Sequence, residues 1–223
     1  MHIEPGLVDT AKIGLSYATA AAVGATALFH VTRSLRHDGL ALLAIRSAIA
    51  TVAVLIFFEI LPHFPVGVSE VHLILGTSIL LLLGTAPAAI GLAGGLLLQG
   101  FVFAPTDLPQ FGMNITTLLA PLFVLHEVNR RMIAPGKAYV DLGYGEVLRM
   151  SFIYQGGIVA WVAFWAFYGA GFGATNVQAI ASFGLFYMAV LLIEPLVDLA
   201  LLAGAKRLRN NAARPLVNPR AYA

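Results

Sequence analysis

His2 directly follows Met1, and this order carries a specific coordination chemistry. A free α-amine, the amide nitrogen of His2 and its imidazole can close adjacent small chelate rings on one cation, so Met1 and His2 together supply a set of nitrogen ligands. A further imidazole would complete a square plane, the geometry preferred by Ni(II) and Cu(II) and accessible to low-spin Co(II). Such ligands bind when deprotonated, so affinity is expected to rise with pH. The alternative for His2 is an exposed polar residue at a frayed chain end. Pro5, with its fixed φ, and Gly6, which permits a sharp turn, favour an opening segment that folds back.

His63 and His72 are the possible companions, and His72 follows the loop Phe64-Pro65-Val66-Gly67-Val68-Ser69-Glu70. The alternative for His72 is an interfacial histidine hydrogen-bonded at a helix start. His63, behind Pro62, is expected at the membrane edge, and His30, His37 and His126 are expected on or near the cytoplasmic side, away from an outer site. Ionisable residues inside apolar stretches usually pair or line a pathway, and here these are Arg46, Glu59, Glu194 and Asp198. Glu194 and Asp198 share one helical face and are read as a structural pair rather than a proton relay. Cysteine is absent, which excludes thiolate metal sites and thiol catalysis. The chain has no G-x-x-x-x-G-K-[ST] phosphate loop, H-E-x-x-H motif or G-x-S-x-G elbow, so it reads as neither an ATPase nor an enzyme of those classes.

The elements that must position these residues are membrane helices. Of the 223 residues, 59% are hydrophobic and 11% charged, too little polar surface for a water-soluble globule of this size. A bilayer core needs ~20 apolar residues per helix, fewer where neighbours shelter the segment. Spans are expected near 13–32, 40–61, 72–84, 88–103, 114–126, 152–172 and 178–203, an all-α polytopic bundle of about seven helices. The third to fifth are short and rich in small residues and belong inside the bundle, with Gly91 and Gly95 allowing close approach.

Basic residues set the orientation. Arg33 and Arg36, then Arg130, Arg131, Lys137 and Arg149, then Lys206, Arg207, Arg209, Arg214 and Arg220 all fall on one side of such a topology, which is therefore expected to be cytoplasmic. The N-terminus and the loop before His72 then lie outside, the C-terminus inside. Ala18-Thr19-Ala20 could serve a signal peptidase, but Glu4 and Asp9 precede the apolar run where a signal peptide has a basic region, so the N-terminus is expected to be retained. The segregated basic residues carry no indication of nucleic-acid binding.

Met1-His2-Ile3 with its nearby Pro-Gly, the Phe64-Pro65-Val66-Gly67 loop leading to Ser69 and His72, and the run Leu97 to Phe103 followed by Phe111-Gly112-Met113-Asn114 resemble a known family. It is the substrate-capture (S) component of cobalt and nickel energy-coupling-factor ABC transporters, the CbiM/NikM group. The likeness extends over roughly the first 130 residues, and beyond them it is one of hydropathy. It implies a membrane permease subunit, not an enzyme, in the bacterial inner membrane. Its transported substrate would be Co(II) or Ni(II), taken at the outer face, with no permanent cofactor. The implied ligands are the amine of Met1, the backbone and imidazole nitrogens of His2, and His72. Ser69, Glu70, Gln99 and Asn114 would support them. Ala18 with Ala22, or Ala21 with Ala25, are spaced like the small residues by which such components dock on a transmembrane coupling (T) subunit. Cytoplasmic ATPase subunits and a small accessory membrane subunit are the other implied partners.

Residues 1–205 would form one integral-membrane domain and 206–223 a basic cytoplasmic tail. Two features differ from the family pattern. The stretch before His72 is one residue longer and adds Glu70, and Pro105-Thr106-Asp107 replaces an Asp-Gly-Gly sequence. Two other readings are a gradient-driven ion transporter relying on Arg46, Glu59, Glu194 and Asp198, and a non-transporting subunit that keeps the fold while its metal site has drifted.

Overall fold

A computed structural model describes residues 3, 4 and 6–222. The architecture is an all-α membrane bundle with one small hairpin at one end. Helix α1 (Gly14–Leu55) continues through a π-helical turn, Ile56–Ile60. The strands β1 (Phe64–Val66) and β2 (Ser69–Val71) form the hairpin. Then come α2 (Gly76–Leu83), α3 (Thr85–Val102), α4 (Phe111–Met132), α5 (Tyr144–Ala170), α6 (Ala174–Met188) and α7 (Glu194–Arg207).

Five helical stretches among the described residues are long and apolar enough to cross a membrane. The first, Gly14–Ile60, has 47 residues. A straight helix of that length would run ~70 Å, more than twice a bilayer core. It is interrupted instead at Gly39, where φ is 80° and ψ 166°, a conformation that needs the absent Cβ. The arm before Gly39 packs on α4, with Thr19 Oγ1 3.0 Å from Thr116 Oγ1 and His30 stacked on Phe123. The arm after it packs on α3, where a Cβ at Gly91 or Gly95 would strike Ala50 or Val54. The close approach expected of Gly91 and Gly95 is thus made between α1 and α3. Rising positions match in each pair, so the chain descends in the first arm and returns in the second. These arms correspond to the expected spans 13–32 and 40–61.

Two expected spans are built differently. Residues 72–84 are apolar enough for a membrane helix, yet 72–75 are irregular, with Leu75 left-handed at φ 53°, and only the eight residues of α2 are helical. An eight-residue helix covers ~12 Å and cannot cross a bilayer. It lies inside the bundle, with its first six residues buried, and its neighbours satisfy the exposed backbone ends. The 178–203 segment is broken as well: α6 ends in a 3₁₀ turn, Ala189–Leu192, and α7 restarts at Glu194 with Pro195 in its first turn.

The basic tail returns to the bundle. Asn218 N–H donates to Leu82 O at 2.6 Å, closing the C-terminal end of α2. The guanidinium of Arg46 donates to Pro215 O at 2.6 Å and Val217 O at 3.1 Å, and sits 3.4 Å from Asp38. This accounts for the buried charge of Arg46: tail carbonyls and one carboxylate surround it.

Candidate functional site

Nothing in the hydropathy of residues 61–71 announces strands, and Pro65 argues against a ladder position. The hairpin forms because its N–H-free position falls on an edge and because Gly67 takes the turn. Gly67 has φ +62°, and a Cβ there would collide with the backbone carbonyl of Ala179 on α6. The hairpin is thereby seated on α6, with Pro65 opposite Glu70 and Phe64 opposite Val71.

The N-terminal segment adds to the free edge of β2. Ile3 forms an antiparallel bridge with Ser69, and Glu4 N–H donates to Val68 O at 3.3 Å. Ile3 N–H donates across the bundle to Asn114 Oδ1 at 3.1 Å. Ile3, Ser69 and Asn114 are fully buried. The register therefore advances from Val68 toward Ser69 as the chain is followed back from Glu4 to Ile3. Met1, His2 and Pro5, on which part of the metal-site expectation rests, lie outside the described residues.

His72 sits just past β2 and is 1% exposed. Glu70 Oε2 lies 2.9 Å from its Nε2. The exposed ring of His63 stacks on it at 4.9 Å, and Phe58 meets it edge-on at 5.4 Å. Phe58 is in the π-helical turn that ends α1, a local rewinding that turns this ring toward the hairpin. A neutral imidazole that donates from Nε2 to a carboxylate presents its lone pair at Nδ1, the tautomer that a carboxylate partner fixes in metal-binding histidines.

Acidic groups gather at the same end. Burial pushes the Glu4 carboxyl above the usual range, and the nearby Glu70 and Asp107 push it further in the same direction. Such a group of carboxylates concentrates cations at the surface. Gln99, Asn114 and Asp107 line one narrow cleft beside Gly100 and Phe111. The structure thus brings Ser69, Glu70 and His72 together in one hairpin, and Asn114 into contact with the N-terminal segment. Glu4, Phe58 and Asp107 were not among the site residues expected from the sequence. The sequence signal for Asp107 was its departure from the Asp-Gly-Gly pattern. No cluster of three or more histidine, aspartate and glutamate side chains able to hold a metal occurs among the described residues.

Ala18, Ala21, Ala22 and Ala25 are all exposed on the first arm of α1. The opposite face of that arm carries Ser16, Thr19 and Val23 against the bundle. His30, His37 and His126 are together at the far end of the molecule, around the break at Gly39, well away from His72. Glu194 and Asp198 are fully buried, but they are not bonded to each other. Gln155 Nε2 donates to Glu194 at 2.7 Å, and the hydroxyls of Ser78 and Ser151 donate to Asp198.

The sequence matches one family model, the CbiM cobalt uptake substrate-specific transmembrane region, over residues 2–212. No curated protein and no solved structure matches the chain. The match covers nearly the whole bundle, from the segment paired with β2 through α7. The chain therefore belongs to the CbiM family of cobalt-uptake transmembrane components.

Proposed function

We propose that this protein is the substrate-capture subunit of an ATP-driven energy-coupling-factor transporter. It takes Co(II) or Ni(II) at the hairpin end, which faces outside, and passes it inward. The N-terminal amine of Met1, the backbone and imidazole nitrogens of His2, and Nδ1 of His72 are the metal ligands. The observation that carries this reading is the pairing of Ile3 with Ser69. Because that pairing is antiparallel, the register leads from Ser69 toward Glu70 and His72 as the chain leads back toward His2. Glu70 orients the His72 imidazole, Asn114 and Ser69 fix the strand beside it, and Gln99 with Asp107 completes the polar surroundings. The family match supports cobalt as a substrate.

The energy for transport comes from partners. The exposed alanines of α1 form the docking face for the transmembrane coupling subunit, since small residues let membrane helices approach closely. Cytoplasmic ATPases drive that subunit, and a small accessory membrane subunit completes the assembly. The test is Co(II) uptake into proteoliposomes holding this chain, a coupling subunit and the ATPases. Uptake that needs ATP and is lost in His72→Ala supports the reading. Uptake that proceeds without the ATPases and collapses with the proton gradient contradicts it.

A further inference from the structure

At the end of the bundle opposite His72, the break at Gly39, the start of α3, the end of α4 and the returning tail enclose a cavity of about 300 Å³. Its walls carry Arg33, Arg46, Arg130 and Arg220, with the imidazoles of His30, His37 and His126, against a single carboxylate, Asp38. Asp38 is matched by Arg46 and Arg130 by Glu127, whereas Arg33 and Arg220 have no acidic partner among the described residues. Arg220 is held over the ring of Tyr139 at 5.2 Å, which fixes its direction without neutralising it. The excess of fixed positive charge favours an anion over a divalent metal.

A second observation comes from Asn129 in the same wall. It is 2% exposed, and both its Nδ2 and its Oδ1 lack a hydrogen-bond partner among the described residues. A buried amide left with neither bond is costly, and it marks a place where another molecule supplies them. Guanidinium groups from separate elements, together with an amide donor, approach from several directions. That arrangement suits a tetrahedral phosphate, whose oxygens accept from several sides, better than a planar carboxylate. The amide oxygen additionally asks for a hydroxyl or P–OH donor.

We propose that this cavity is a binding site for a phosphate-bearing anion, with Arg33 and Arg220 supplying the charge and Asn129 the neutral hydrogen bonds. Basic pockets between membrane helices hold anionic headgroups, and a free phosphate compound offers the same chemistry. The site is separate from metal capture and needs no change at His72.

The full chain in neutral detergent is titrated with inorganic phosphate and with glycerol 3-phosphate. In parallel, chain extracted from phosphatidylglycerol:phosphatidylcholine vesicles is weighed by native mass spectrometry. One bound phosphate compound per chain identifies a free ligand. One retained phosphatidylglycerol, without saturable phosphate binding, identifies a headgroup. In either case the Arg33→Gln/Arg220→Gln double variant and Asn129→Leu should weaken binding at least about tenfold. Arg131→Gln, which removes an exposed charge outside the cavity, should leave binding within about twofold. Thermal melting and Co(II) titration of each variant confirm that fold and metal site persist. The proposal is overturned if neither probe binds one to one, or if the cavity variants bind as well as the parent. It also fails if Arg131→Gln weakens binding equally, or if the cavity variants lose only a protein partner.

Discussion

The carboxylate of Glu70 lies 2.9 Å from Nε2 of His72, which is almost completely buried. The carboxylate that this stretch adds relative to the family pattern thus touches the very imidazole proposed to bind the metal. A carboxylate in this position fixes the ring and raises its basicity, and losing such a partner typically costs about 10–100-fold in metal affinity. Glu70→Ala is expected to weaken Co(II) and Ni(II) binding by that amount. Glu70→Gln, which keeps an acceptor for the Nε2 proton, should weaken it less. Calorimetric titration of both variants measures the difference. Equal affinity in Glu70→Ala and the parent would remove Glu70 from the account.

Asn114 holds the N-terminal segment in place through the N–H of Ile3. Asn114→Leu leaves that buried donor without its acceptor, a cost of about 1–3 kcal/mol. Amide exchange at Ile3 and Glu4 should accelerate correspondingly, while exchange in α5 stays as it is. Metal affinity should fall alongside, because the segment proposed to carry the ligands is less often docked.

Gly67 combines a left-handed backbone with a close approach to α6. Gly67→Ala is expected to destabilise the hairpin by about 1–3 kcal/mol, from backbone strain and the clash with Ala179. A lowered melting temperature with weaker metal binding is the expected pair of results. Gly136 also has a positive φ but open space around it, so Gly136→Ala should affect stability less and metal binding not at all.

Glu194 and Asp198 sit on α7 among Ser78, Ser151 and Gln155 rather than at the hairpin. Glu194→Gln and Asp198→Asn keep most of these hydrogen bonds. Both are expected to leave Co(II) affinity within about twofold, as for sites that share no partners. A loss of capture in either variant would give weight to a gradient-driven mechanism.

Composition and apolar run length were sufficient to read the membrane bundle, and Gly91 and Gly95 announced a close helix contact that α1 and α3 make. Run length failed at residues 72–75 and at Ile193, where apolar side chains accompany an irregular segment and a helix break. Buried irregular backbone is as apolar as a membrane helix, because both are shielded from water by the same side chains. The hairpin escaped notice because its strands have three residues each and one holds a proline. The charge map placed His72 on one face with the N-terminus, and Ser69 and Asn114 were picked out by their resemblance to a family motif. The direct bond of Asn114 to Ile3, 111 residues away, depends on the tertiary fold and has no local signature. Arg46 looked like an intramembrane charge until the tail, read as a separate basic segment, was found to supply its carbonyl partners.

The N-terminal amine, His2 and His72 are proposed to bind one metal ion together. The most direct test is Co(II) titration of the purified full-length chain, compared with His2→Ala, His72→Ala and a form whose terminal amine is acetylated. One tightly bound ion per parent chain is expected, with loss of stoichiometric binding in all three altered forms. Full one-to-one binding in any of them would contradict this assignment.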